Sequence, residues 1–147
     1  MIGASSGPGQ NTSEISRDTV IRMAGEASLK LSGDSVTNRW YAVYQDIPPG
    51  FSTLRIDYHV RAEEIRQEAD QFDNCYVGFI YYDGNGSRHF HTNAYEGSFD
   101  WRSDSLTLDI EELGATDIQF MIFLSMSGTF WVDELLFTGS DLEHHQL

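Results

Sequence analysis

Apolar and polar residues alternate with a period of two over much of the chain, the spacing of half-buried strands. Leu54 to Ala62 is the clearest case. Leu54, Ile56, Tyr58, Val60 and Ala62 take one face; Arg55, Asp57, His59 and Arg61 take the other. Ala27 to Gly33 places Leu29 and Leu31 inward and Lys30 outward. Asn38 to Ile47 predicts another strand, stopped by the turn Pro48-Pro49-Gly50. Cys75 to Tyr82 is nearly all apolar or aromatic and suits a central strand. Asp83-Gly84-Asn85-Gly86 predicts a hairpin turn, with Arg88-His89-Phe90-His91 on the returning strand. Leu106 to Ile110 and Asp117 to Met126 alternate again, and Ser127 to Phe137 predicts a closing strand.

Between these stretches, Glu14 to Met23 predicts a first short strand. Glu63 to Asp73 reads as a long acidic surface loop and Gly97 to Trp101 as a loop. Residues 1–13 form a flexible arm, 14–139 the folded domain, and 140–147 a tail. Leu142-Glu143-His144-His145 resembles a purification-tag remnant, so its histidines receive no metal role, and the chain reads as an excised domain. About eight short strands, no convincing helix and no repeat period predict an all-β sandwich.

Composition sharpens this. A chain of 147 residues is one domain with room for a full core. Three Trp, seven Tyr and nine Phe exceed what such a core needs, which points some aromatics to a binding surface. A net charge of −14 with no Lys/Arg cluster excludes nucleic acid as a partner. The single cysteine, Cys75, forms no internal disulfide. No apolar run approaches membrane-spanning length, and the N-terminus lacks the layout of a secretion signal.

The Ser28-Leu29-Lys30-Leu31 strand, the Pro-Pro-Gly turn before Leu54-x-Ile56-x-Tyr58, Tyr81 to Gly86, and Phe99-Asp100-Trp101 follow one another in a familiar order. With the Asp117-Ile118 strand and the run Gly128-Thr129-Phe130-Trp131-Val132-Asp133-Glu134, they span roughly Gly25 to Phe137. Together they resemble the galactose-binding-like β-sandwiches, which include many jelly-roll carbohydrate-binding modules; Glu134 departs from the usual second aspartate. The resemblance implies a jelly-roll β-sandwich of two antiparallel sheets and a non-catalytic module. That module would bind polysaccharide or oligosaccharide and target an appended, secreted glycan-degrading enzyme, extracellular or periplasmic. The alternative it leaves is a binding-inert accessory or protein-interaction sandwich of a larger extracellular hydrolase or peptidase. It also implies a structural calcium on Asp133, with Glu26 or Glu14 opposite, and structural roles for Trp101 and Trp131.

Sugar binding asks for flat aromatic faces against the C–H side of a pyranose, and for amide, carboxylate or guanidinium groups that fix hydroxyls. The strands offer Trp40, Tyr44 and Gln45; Arg55, His59 and Arg61; Tyr82, with Tyr76 as a further choice; His89 and His91; and Gln119. Which of these share a face is left open, since one bulge inverts the alternation. The histidines lack a metal-binding spacing. No nucleophile motif or phosphate loop is present, leaving only His91 with Tyr95 as an imaginable lyase pair.

Overall fold

The computed structural model describes residues 2–7, 15–18, 28–33, 40–66 and 75–141. Its strands are β1 (Ile2–Gly7), β2 (Ile15–Asp18), β3 (Ser28–Gly33), β4 (Trp40–Asp46) and β5 (Phe51–Arg66). They continue with β6 (Cys75–Tyr82), β7 (Arg88–Ala94), β8 (Gly97–Asp109), β9 (Thr116–Leu124) and β10 (Ser127–Asp141). They form two five-stranded sheets, ordered β1-β4-β9-β6-β7 (sheet A) and β2-β3-β10-β5-β8 (sheet B). Every pairing is antiparallel. Apart from the β2–β3 and β6–β7 hairpins, each connection passes from one sheet to the other. The chain is the expected all-β, jelly-roll sandwich.

Alternation carries through into burial. Leu54, Ile56, Tyr58, Val60 and Ala62 of β5 all lie in the core, where Val77, Phe79, Phe120, Ile122, Leu124 and Phe130 meet them from neighbouring strands. Each fully buried apolar side chain of this kind contributes about 1.5–3 kcal/mol against leaving it in water. Burial also pushes up the pKa of the Cys75 thiol, so this cysteine behaves as a small hydrophobe.

Several boundaries move. Ile2–Gly7, in the stretch read as a flexible arm, pairs along β4, and the strand count among the described residues reaches ten. Glu63 to Arg66 extends β5 instead of opening a loop, because Ile65 is fully buried; residues 67–74, the rest of that loop, lie outside the described residues. Gly97 to Trp101 is strand, held by pairing of Ala62 with Phe99, whose ring packs against the core. One helical turn, α1 (Ile110–Leu113), follows β8. Asp109 caps its N-terminus by accepting from the Glu112 amide at 3.1 Å, and Gly114 closes it at φ 61°. The Asp83 turn forms as expected, its carboxylate accepting from the Asn85 and Ser87 amides at 2.8 and 3.0 Å.

The β7–β8 side of the sandwich is closed by a part-buried polar network. Asn93 donates to the Tyr58 hydroxyl (2.9 Å) and to the Ser105 carbonyl (3.1 Å). The Tyr95 hydroxyl donates to Asp104 at 2.7 Å, so Tyr58 must donate to Tyr95 across their 2.6 Å contact. Burial and the neighbouring carboxylate raise the Tyr95 pKa strongly; burial raises that of Tyr58. Tyr95→Phe removes a donor to Asp104 and the acceptor for Tyr58 together. Urea unfolding should find that variant about 2 kcal/mol less stable.

Candidate functional site

Register decides which side chains share a surface, and sheet A turns an aromatic one outward. On the β9–β6 rungs, Phe123 lies beside Tyr76, Met121 beside Gly78 and Gln119 beside Ile80. The β6–β7 hairpin adds Ala94, Thr92, Phe90 and Arg88 to the same face, and β4 adds Ala42, Tyr44 and Asp46. Gly78 presents no side chain there, and the Tyr76 hydroxyl reaches Met121 Sδ, the neighbour across from Gly78, at 3.6 Å. The Tyr76 ring is thus laid along the face. It stacks on Phe123 (5.0 Å, 14°) and meets the edge of Phe90 (6.2 Å, 87°). Burial pushes its hydroxyl pKa up to about 12, so it stays neutral.

Phe90, 55% exposed, carries the Arg88 guanidinium 4.9 Å from its ring centre. Tyr82, 38% exposed, stands at the end of the same face. Beside it is a depression of about 420 Å³ lined by Asp46, Ile47, Ile80, Tyr82, Arg88, Asp117, Ile118 and Gln119. Gln119 donates to Asp46 at 3.0 Å across its floor. The arrangement is an aromatic shelf grading into a polar hollow. It can pack a ring's apolar side and hydrogen-bond its polar rim.

Of the residues singled out from sequence, Tyr44, Tyr76, Tyr82 and Gln119 come together here. Gln45 does not: it shares its rung with Phe120, on the core side of β4. His89 and His91 pair with Tyr81 and Phe79 on that same inner side. His89 stacks on Tyr81 (5.2 Å) and meets Asp83 at 2.6 Å, and His91 Nε2 meets the Thr107 carbonyl at 2.7 Å. With that contact made and the Tyr95 ring buried, His91 and Tyr95 present no lyase pair.

Arg55, His59 and Arg61 lie across the molecule, on the outer face of sheet B, each beside a carboxylate, and Asp57, His59, Ser103 and Glu134 line a depression of about 580 Å³ there. Arg55 binds Asp57 at 2.9 Å and holds its carboxyl below the usual range; His59 lies 3.2 Å from Glu134, and Arg61 lies 4.0 Å from Asp100. Trp131 shares this outer face rather than the inter-sheet core, yet is only 2% exposed, with Arg61 and Lys30 5.1 and 6.0 Å from its ring centre. Trp101 is half-buried, at the irregularity in β8 between the Ala62–Phe99 and Val60–Arg102 pairs. Trp40 pairs with Gly7, and its side chain lies outside what the structure describes.

The acid pair in the closing strand has a backbone cause. A bulge between Asp133 and Leu136 sets two β10 residues, Glu134 and Leu135, against one of β5, Tyr58, and Glu134 takes φ 50°. Asp133 accepts the Glu134 amide at 2.7 Å, while Glu134 swings outward towards His59. Glu26 and Glu14 lie outside the described residues. Among the described residues no group of three or more Asp, Glu, His or Cys side chains is gathered for a metal.

Sequence reasoning missed Phe90, Phe123, Met121, Arg88 and Asp46. The signal for Phe90 and Arg88 was available, since a turn at Asp83 to Gly86 fixes a register that puts them beside Ile80 and Tyr82.

No family model matches the sequence, and no curated protein matches it. Solved structures do. A family 16 carbohydrate-binding module superposes with a TM-score of 0.67 at 14% identity, over 85% of each chain. TmCBM61, solved with β-1,4-galactotriose, gives 0.60 at 10% identity, over 95% of this chain and 88% of its own. A family 22 xylan-binding domain from Paenibacillus barcinonensis gives 0.57 at 12%, over 95% and 86%. At these identities the likeness is one of fold.

Proposed function

We propose that the outer face of sheet A binds polysaccharide without catalysis, and that the domain holds an appended glycan-degrading enzyme, outside the cytoplasm, on its substrate. The observation that carries the reading is the exposed pair Phe90 and Tyr82 on one face, beside the polar hollow of Gln119, Asp46 and Arg88. An exposed phenyl ring under an arginine and beside hydrogen-bonding groups is the kind of surface that packs a pyranose and fixes its hydroxyls. The oligosaccharide-binding modules that share the fold support the reading. The net charge of −14 narrows it to uncharged glycans, because uronate or sulfate chains are repelled on approach.

Affinity electrophoresis tests it: the domain is run through gels containing soluble neutral and anionic polysaccharides. Retardation by one or two neutral glycans is expected. Unchanged mobility across the panel would sink the proposal and favour the accessory sandwich.

Calcium is a separate part of this reading. Asp133 supplies one of the roughly six to eight oxygens such an ion takes, and Glu26 or Glu14 would stand opposite. If that ion is present, calcium raises the melting temperature over chelator, and Asp133→Asn abolishes the difference. A shift unaltered in Asp133→Asn would place the ion elsewhere.

A further inference from the structure

The polar hollow of sheet A has a neighbour at the end of the sandwich. This second pocket, about 400 Å³, lies between the Pro48-Pro49-Gly50 turn and helix α1; its walls include Ile47, Pro48, Phe51, Ile110, Ala115 and Ile118. The two depressions have Ile47, Asp117 and Ile118 in common, so the end of β9 forms the wall between them. The walls are fixed by local bonding. Ile47 donates to the Ile118 carbonyl at 2.9 Å, and Ala115 donates to the Ile110 carbonyl at 3.1 Å. The Asp109 and Gly114 caps hold α1 in place, and the prolines fix the opposite turn. A preformed cavity of this kind loses little entropy on filling.

Its lining selects the occupant. A sugar ring buried there would need partners for its hydroxyls, and unpaired buried polar groups are costly. The Thr116 hydroxyl is already engaged with the Tyr82 carbonyl at 3.3 Å, which leaves the Asp117 carboxylate, on the shared wall, as the one acidic group in a mostly apolar lining. An uncharged apolar group is accepted instead. The volume falls within the small-molecule range and exceeds what an acetyl group fills. Pro48 and Phe51 contribute apolar and aromatic lining against which an aromatic ring can pack.

The geometry points to a substituent pocket: the end of the sandwich takes an aromatic acyl ester carried by the sugar chain lying on sheet A. The inference rests on the carbohydrate reading of that face, since the wall that the two depressions share is what ties the group to a glycan.

Calorimetric titration with arabinoxylan oligosaccharides in bare, O-acetylated and feruloylated forms tests this, with methyl ferulate followed separately by saturation-transfer NMR. The feruloylated form is expected to bind about tenfold more tightly than the bare form, and the acetylated form within about threefold of it. Pro49→Trp, at an exposed turn position, and Ile110→Ala should erase the tenfold gain and leave bare-chain affinity unchanged. Should Ile110→Ala fail to fold, Pro49→Trp alone decides. Methyl ferulate alone should give a transfer signal that Pro49→Trp removes. Equal affinity for bare and feruloylated chains, a gain that survives Pro49→Trp, or no methyl ferulate signal would each overturn the pocket assignment. A methyl ferulate signal without binding of any oligosaccharide would overturn the carbohydrate reading, and the glycan substituent with it.

Discussion

Gly128→Ala is expected to destabilise the domain by about 4 kcal/mol and to lower its melting temperature by about 10 °C. Gly128 opens β10 at φ 111°, a backbone region that side chains strain by roughly 1–3 kcal/mol. A Cβ there would also lie 2.4 Å from the Glu64 carbonyl oxygen and 2.8 Å from that of Glu63. Both are backbone atoms and cannot turn aside. Their position is itself fixed, since Glu64 sits at φ 54° and its amide donates to the Ser98 hydroxyl at 2.8 Å. Gly84→Ala is the control: its Cβ would meet nothing within 4 Å, and its melt should match the wild type. A Gly128→Ala melt within about 2 °C of wild type would be incompatible with this close approach of β10 to β5.

The largest functional effect is expected at Tyr82 and Phe90. Alanine at either should weaken glycan binding by about 2 kcal/mol, roughly 30-fold, as for aromatic anchors at other binding surfaces. Both side chains are exposed, so stability should stay within about 0.5 kcal/mol of wild type. His59→Ala should leave affinity unchanged, because His59 belongs to the opposite face of the sandwich. Calorimetry or affinity electrophoresis separates the cases. Loss of binding in His59→Ala with full binding in Phe90→Ala would move the site to the outer face of sheet B.

That contrast marks where the sequence stops being informative. The inward set of β5 was legible, because five apolar residues at period two can only face a core. The outward set was not, since alternation distinguishes in from out but not one outer face from the other. Arg55, His59 and Arg61 look as suitable for sugar as Tyr44 or Gln119, yet they lie in the other sheet. Gln45 was separable in principle, as neighbours on a strand point to opposite sides. The Asp133–Leu136 bulge was not, because nothing in the apolar run around Glu134 announces a residue at positive φ. The capping pair Asp109 and Glu112 did carry a helix signal, overridden by the alternation of β8 just before it.

Strand β10 does not lie at an edge; it runs between β3 and β5, paired to both. A nascent chain that has emerged only as far as Met126 therefore has the two halves of sheet B with nothing to join them. Each half offers an unpaired backbone edge above an unfilled apolar face, the condition under which strands add to other chains. Folding of this domain is thus tied to completion of synthesis through β10, and C-terminal truncations before Ser127 should be recovered in inclusion bodies rather than as shorter sandwiches.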